Sequence, residues 1–350
     1  MLCMYMTAKN KCRAIILFLF SVFYSAGLFS QSDTWYEAMT LARKIKAEVF
    51  YEALSQSCVF SKDGLTASVS AGSPLLILDK TKVEFYTAAK IEATKFLISA
   101  DMAASIESFF SNRNETEPLF KVAAILIDPG HGGKDAGAVG EYYENGKKVT
   151  LYEKNVVLPI ALDLVALLKA TFPDKRILMT RSGDTYPTLE ERADMANNIK
   201  VADDEAVIFI SIHANAVFNK KAKGFEVWYL PRDYKRHNLA NDKNIAQEIK
   251  PIVNSMLEEE FNLESILIAK NIEASLKETI GSYTVSRGIK EKAYFVIRNS
   301  KMPSVLVEVG FVTNEAEAKL LNTPSYLNKC AVGIYNGIVQ FISQFENYGF

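Results

Sequence analysis

At 350 residues the chain is too long for one ordinary domain and suits about two. With 49% apolar and 23% charged residues it can bury a normal core, which excludes a chain that is disordered throughout. A formal net charge of -1 gives no global drive toward nucleic acid or an anionic membrane surface.

Residues 1–30 stand apart. Lys9, Lys11 and Arg13 form a positive start, Ala14–Tyr24 is an almost unbroken apolar run, and the small residues Ser25, Ala26, Gly27 and Ser30 follow. That is the layout of a secretory signal peptide cleaved between Ala26 and Ser30, and it predicts an exported, periplasmic or cell-envelope protein. The alternative is a permanent anchor, for which the apolar run is short against a span of roughly 20 residues. No later segment is apolar for long enough to cross a bilayer, so no membrane span is expected after cleavage. Cys58 and Cys330 remain in the mature chain, in different predicted domains, and read as buried free thiols rather than a disulfide framework.

Residues 31–110 predict a small α+β accessory module. Apolar residues recur at helical spacing over Trp35–Phe50. Short strand-like runs follow at Ser57–Phe60, Thr66–Val69, Leu75–Leu78, Val83–Tyr86 and Thr94–Ile98, and Asp101–Phe110 reads as a closing helix capped by Asp101. The polar stretch 111–120, which holds Pro118, reads as a linker.

From residue 121 to 346 strands and helices alternate. The strands are Val122–Ile127, Arg176–Met179, Ala206–Ile210, Phe225–Leu230, Tyr294–Ile297 and Val305–Val309. The helices are Asn155–Ala170, Leu189–Asn198, Leu263–Ile280, Glu315–Leu321 and Ser325–Phe345. This order predicts an α/β fold with a mixed, mostly parallel sheet flanked by helices (phosphorylase/hydrolase-like), preceded by the small α+β module. In such sheets ligands bind beyond the carboxyl ends of the strands.

Two of the three histidines fall at those ends, in Asp128-Pro129-Gly130-His131-Gly132-Gly133 and Ser211-Ile212-His213-Ala214-Asn215. Two histidines and a carboxylate can hold a catalytic zinc with one position left for water. Glu153, just ahead of a long amphipathic helix, is the candidate carboxylate. Its competing role is to complement the helix dipole, since acidic residues favour the first turn. Glu308 lies in an otherwise apolar strand, where a carboxylate is costly to bury unless it is paired or bound near a metal. A general acid/base with a raised pKa suits it better than a structural ion pair. The third histidine, His237, sits among Arg232, Lys235 and Arg236 and reads as solvent-exposed.

Together these blocks resemble the zinc-dependent N-acetylmuramoyl-L-alanine amidases of the amidase type 3 family. The resemblance covers residues 122–345 and includes Glu153-Lys154-Asn155, Thr180-Arg181 with Asp184 and Tyr186, Leu189-Glu190-Glu191-Arg192 followed by Ala196-Asn197, and Val307-Glu308-Val309-Gly310-Phe311 with Thr313-Asn314. It implies a peptidoglycan hydrolase that cleaves the bond between N-acetylmuramic acid and L-alanine. His131, Glu153 and His213 would be the Zn2+ ligands and Glu308 the catalytic carboxylate. Asn215 and Arg298 are candidate substrate contacts; Asn215 equally suits holding its own loop. Arg192 reads as a structural ion-pair residue. The runner-up is a carboxypeptidase-like zinc peptidase acting on wall peptides. Such enzymes carry their first His and Glu three residues apart, whereas 22 positions separate His131 from Glu153. A wall-binding scaffold without activity is a third reading, against which the intact ligand set and Glu308 both speak.

Residues 232–286 form an insertion longer than the simplest relatives need. It contains a helical pattern at Asn244–Met256, broken early by Pro251, and the acidic cluster Glu258-Glu259-Glu260. One reading is a regulatory lid displaced by an activator protein, with one of these three glutamates as an inhibitory plug. The other is a solvated surface excursion, which charge runs usually are. Under the lid reading, deleting Asp242–Glu264 raises hydrolysis of purified sacculi. An unchanged or lower rate goes with the excursion.

Overall fold

The computed structural model describes residues 34–79, 82–111, 120–202, 205–236, 239, 247 and 250–348. The predicted signal segment, His237 and residues 112–119 of the predicted linker lie outside these. No helix among the described residues is long and apolar enough to cross a membrane. The chain forms two compact units. Among the described residues, one comprises those of 34–111, 235–263 and 346–348, and the other those of 120–234 and 264–345.

In the first unit the elements are β1 (Trp35–Glu37), α1 (Ala38–Ile45), β2 (Glu48–Glu52), β3 (Ser57–Lys62), β4 (Leu65–Ser70), β5 (Leu75–Leu78), β6 (Lys82–Phe85), β7 (Lys90–Glu92), β8 (Lys95–Ser99) and α2 (Ala100–Ser111). Strands β2 to β6 form an antiparallel sheet in sequence order, and β1, β8 and β7 form a second antiparallel sheet. Alternation along the strands sends Cys58 and Phe60, Ala67 and Val69, and Leu76 and Leu78 into one core with Leu41 of α1 and with Met102 and Ile106 of α2. The other residues of β5, Leu75 and Ile77, meet Ile252 and Met256 from the 235–263 segment of the same unit.

Two expectations for this unit change. The helix predicted over Trp35–Phe50 is one short helix between two strands. Trp35–Glu37 pairs with β8, and α1 stops where Lys46 turns left-handed at φ 56°. Val49, Phe50 and Tyr51 continue the apolar spacing but pair with β3, as their β-branched and aromatic side chains favour. Asp101 does not cap α2. Ser99 does, its Oγ accepting from the Met102 amide at 3.3 Å, which leaves Asp101 in the first turn.

The second unit begins with β9 (Lys121–Pro129), β10 (Val139–Glu144), β11 (Lys147–Tyr152), α3 (Glu153–Thr171), β12 (Arg176–Met179), α4 (Leu189–Asn197), β13 (Glu205–Asn215) and β14 (Phe225–Tyr229). Then come α5 (Lys250–Ile280), which starts in the first unit's segment, β15 (Ser286–Glu291), α6 (Phe295–Asn299), β16 (Ser304–Phe311), α7 (Glu315–Leu321) and α8 (Pro324–Tyr348). The central sheet has six strands in the order β12-β9-β13-β16-β14-β15. All neighbouring pairs are parallel except β14 with β16, so the sheet is mixed and mostly parallel, with helices packed against it. Strands β9, β13 and β16 read as continuous apolar runs because both of their faces are covered.

One reading is corrected here. Tyr294–Ile297 is not a strand. Val296 and Ile297 are buried on one short helical turn, α6, and so apolar a run is too brief for its period to decide. Of the helical pattern predicted over Asn244–Met256, residues 244–246 and 248–249 lie outside the described residues; Pro251 is the second residue of α5. Glu258, one of the three acidic residues of the insertion, has a buried carboxylate that accepts from the Arg236 amide at 2.8 Å and from the Arg236 side chain at 2.9 Å, both inside the first unit.

Candidate metal centre

The site forms where β9 and β13 end and α3 begins. β9 stops at Pro129 and releases the glycine-rich turn that carries His131. β13 places His213 in register with Glu308 of β16, so the two side chains leave the same face of the sheet. The β10–β11 hairpin returns the chain so that Glu153 is the first residue of α3. Asn145-Gly146 forms the hairpin turn, both residues with positive φ, the chemistry of a type I′ turn.

Glu153 is 4% exposed and lies between the two histidines. Its Oε1 is 2.9 Å from His213 Nδ1 and accepts from the Ala214 amide at 2.9 Å. Its Oε2 is 3.1 Å from His131 Nε2 and accepts from the Ala138 amide at 2.8 Å. One donor atom from each of the three residues lies within 4.8 Å of the other two, and among the described residues this is the group of His, Cys, Asp and Glu so arranged. Burial alone would raise the pKa of Glu153. Hydrogen bonds from His131 and His213 outweigh it and hold the carboxyl well below the usual carboxylate range. Burial works in the other direction on His131, and its pairing with Glu153 and Asp135 overcomes that and raises its pKa.

Glycine is required at two nearby positions. A Cβ on Gly130 would lie 2.3 Å from His213 Cε1, so the bare backbone packs flat against that ring. A Cβ on Gly137 would lie 2.7 Å from both Glu153 Oε2 and His131 Cδ2. Below the turn two buried arginines hold its carbonyls. Arg192 donates to Asp128 Oδ1 at 2.5 Å, to the Pro129 oxygen at 2.8 Å and to the His131 oxygen at 2.6 Å. Arg181 donates to the oxygens of Pro129 at 2.9 Å and Gly130 at 2.7 Å. Thr180 and Ser211 complete the shell of Asp128. The ion-pair role read for Arg192 is the one it has here.

Glu308 is 7% exposed, and its Oε2 has no hydrogen-bond partner among the described residues. Burial, with the charges of Glu153 and Glu226, pushes its pKa well above the carboxylate norm, while Lys292 works the other way. Glu226 sits directly across from it on β14 and is held by Arg287 and by Lys290, the latter at 2.8 Å. Of the candidate substrate contacts, Asn215 uses its Oδ1 on the Ala216 amide and its backbone oxygen on the Val312 amide, which ties down the loop after β13. Arg298 is exposed on α6 and stacks over Phe295. Sequence reasoning passed over Asp135 and Glu226. The signal for Asp135 was its place four residues after His131 in a glycine-rich turn; an isolated acid in a strand such as Phe225–Tyr229 was the signal for Glu226.

Residues 125–340 match the family model described as N-acetylmuramoyl-L-alanine amidase. The chain is 36% identical over 217 residues to the N-acetylmuramoyl-L-alanine amidase LytC of Bacillus subtilis, a match covering 62% of this chain and 35% of LytC. It is 33% identical over 241 residues to AmiA of Escherichia coli, covering 64% of this chain and 77% of that protein. The solved catalytic domain of the amidase CwlV from Bacillus (Paenibacillus) polymyxa is 30% identical, with a TM-score of 0.48, covering 63% of this chain and 99% of that one.

Gly130→Ala is expected to keep the fold, with an unchanged far-ultraviolet circular dichroism spectrum. The displaced His213 ring should weaken divalent-cation binding by about 10- to 100-fold, the range for lost support of a ligand. Titration against a chromophoric chelator measures it, and wild-type affinity would show that the backbone at residue 130 yields.

Proposed function

The chain belongs to the N-acetylmuramoyl-L-alanine amidase family, and on that premise we propose that it is a zinc-dependent peptidoglycan hydrolase cleaving the amide between N-acetylmuramic acid and L-alanine. The observation that carries this reading is the convergence of His131, Glu153 and His213 beside the buried, unpartnered carboxylate of Glu308. The donor set fits zinc. Two imidazoles and one carboxylate are a ligand set of hydrolytic zinc sites, and Glu153 is already held in its ionised form. When bound there, zinc would supply Lewis-acid polarisation of the scissile carbonyl and a lowered pKa for water.

The protein's own residues do the rest. Glu308 takes a proton from the attacking water at Oε2, the oxygen with no other partner, and returns it to the leaving amino group of L-alanine. Its burial among other carboxylates gives it the proton affinity that such a shuttle needs near neutral pH. Glu153 keeps its charge because hydrogen-bond donors surround it, so it does not compete for that proton. Arg181 and Arg192 hold the carbonyls of the turn that carries His131. Export by the N-terminal segment, which brings the enzyme to its wall substrate, and control of residues 232–286 by an activator belong to the same proposal.

Glu308→Ala is expected to lower turnover on sacculi by about 10²- to 10⁴-fold, the usual contribution of a general acid/base, with zinc content near normal. Mass spectrometry of wild-type digests should show free stem peptides beginning with L-alanine, lost on adding a zinc chelator. New peptide termini inside the stem would instead mark the enzyme as a peptidase.

A further inference from the structure

The turn that carries His131 closes on itself. Gly132 and Asp135 exchange backbone hydrogen bonds in both directions, at 2.9 and 3.0 Å, and form an isolated bridge. His131 adopts φ 59°, a left-handed conformation that a residue with a Cβ rarely holds unless its surroundings enforce it. The enforcement comes from three sides. Arg192 holds the His131 oxygen, Asp184 accepts from the Gly133 amide at 2.7 Å, and Lys154 donates to the Gly133 oxygen at 2.8 Å. The outcome is that Asp135 returns beneath the ring of the histidine four residues before it, with Oδ2 2.8 Å from His131 Nδ1.

A carboxylate only accepts, so His131 Nδ1 carries a hydrogen toward Asp135, and with no cation bound Nε2 carries one toward Glu153 as well. The other nitrogen, Nε2, faces Glu153. We propose that Asp135 is a positioning residue, whose bond to Nδ1 fixes the tautomer and plane of the His131 ring and so sets the affinity of the triad for zinc. This rests on the metal reading above. A partner for the second ring nitrogen orients a ligating histidine and raises its basicity, and its loss typically costs 10- to 100-fold in metal affinity. Asp135 has no burial to explain its presence, since its side chain is 40% exposed. It also has a competing structural role, because its other oxygen, Oδ1, accepts from the Gly137 amide at 3.0 Å and shapes the next turn.

The test separates ring positioning from turn shaping. Zinc affinity is measured by competition with a chromophoric chelator in wild type, Asp135→Ala and Asp135→Asn. The melting temperature is read on the metal-free proteins, and the solvent exchange of the His131 Nδ1–H is followed by ¹⁵N-resolved spectroscopy on the zinc-loaded ones. Asp135→Ala is expected to bind zinc about 10- to 100-fold more weakly and to exchange the Nδ1–H faster, with a melting temperature close to wild type. Asp135→Asn, which keeps an acceptor but no charge, is expected to fall between the two. Should Asp135→Ala fail to fold, the asparagine variant carries the same two readouts. An Asp135→Ala protein with zinc affinity within about twofold of wild type, or with unchanged exchange of the Nδ1–H, overturns the proposal. A wild-type protein that takes up no zinc removes the metal reading itself, a result distinct from the other.

Discussion

A carboxylate in a protein interior must be met by donors, and Glu153 is met by four. Two are histidine rings from different strand ends and two are backbone amides, Ala138 and Ala214. That single group therefore joins three stretches of chain that are far apart in sequence. The hairpin that precedes α3, the end of β9 and the end of β13 all have to arrive in place for it to be satisfied. The α/β layering makes this convergence possible, because parallel neighbours present their carboxyl ends along one edge.

A second buried acid supports the first. Asp128 lies under the His131 turn and is enclosed by Arg192, Thr180 and Ser211. Removing one member of such a pair strands the other charge, which is why this kind of network costs so much to break and holds its shape. Arg192 directs its remaining donors to main-chain oxygens of the turn, and Arg181 does likewise. The position of the His131 ring thus depends on guanidinium groups that bond to the main chain of its turn.

Much of this was legible from residues alone. Strand runs such as Val122–Ile127 and Val305–Val309 are too apolar and β-branched to be anything but buried strands once alternating helices surround them. His131 and His213 stood out because histidine is rare in this chain and each follows such a run. Glu308 was conspicuous as an acid in an apolar strand. What escaped was set by pairing across distance or by backbone conformation. The β10–β11 hairpin announces itself through Asn145-Gly146, yet its strands are half-exposed and show no clean alternation. Trp35–Phe50 carries helical spacing through a region where partners in β3 and β8 decide otherwise. Tyr294–Ile297 holds too few residues for a period of two to be told from one of 3.6. Asp135 has an unremarkable composition signal and acquires its meaning only when His131 turns left-handed.

The Gly130 backbone lying flat on the His213 ring has a consequence for assembly. With no side chain between them, that ring cannot rotate without pushing the first turn aside, and the first turn is held by Arg192, which also pairs with Asp128, and by Arg181. Both rings are therefore positioned by packing and main-chain hydrogen bonds settled during folding, and a change at residue 130 is felt at the His213 ring and at the His131 turn together.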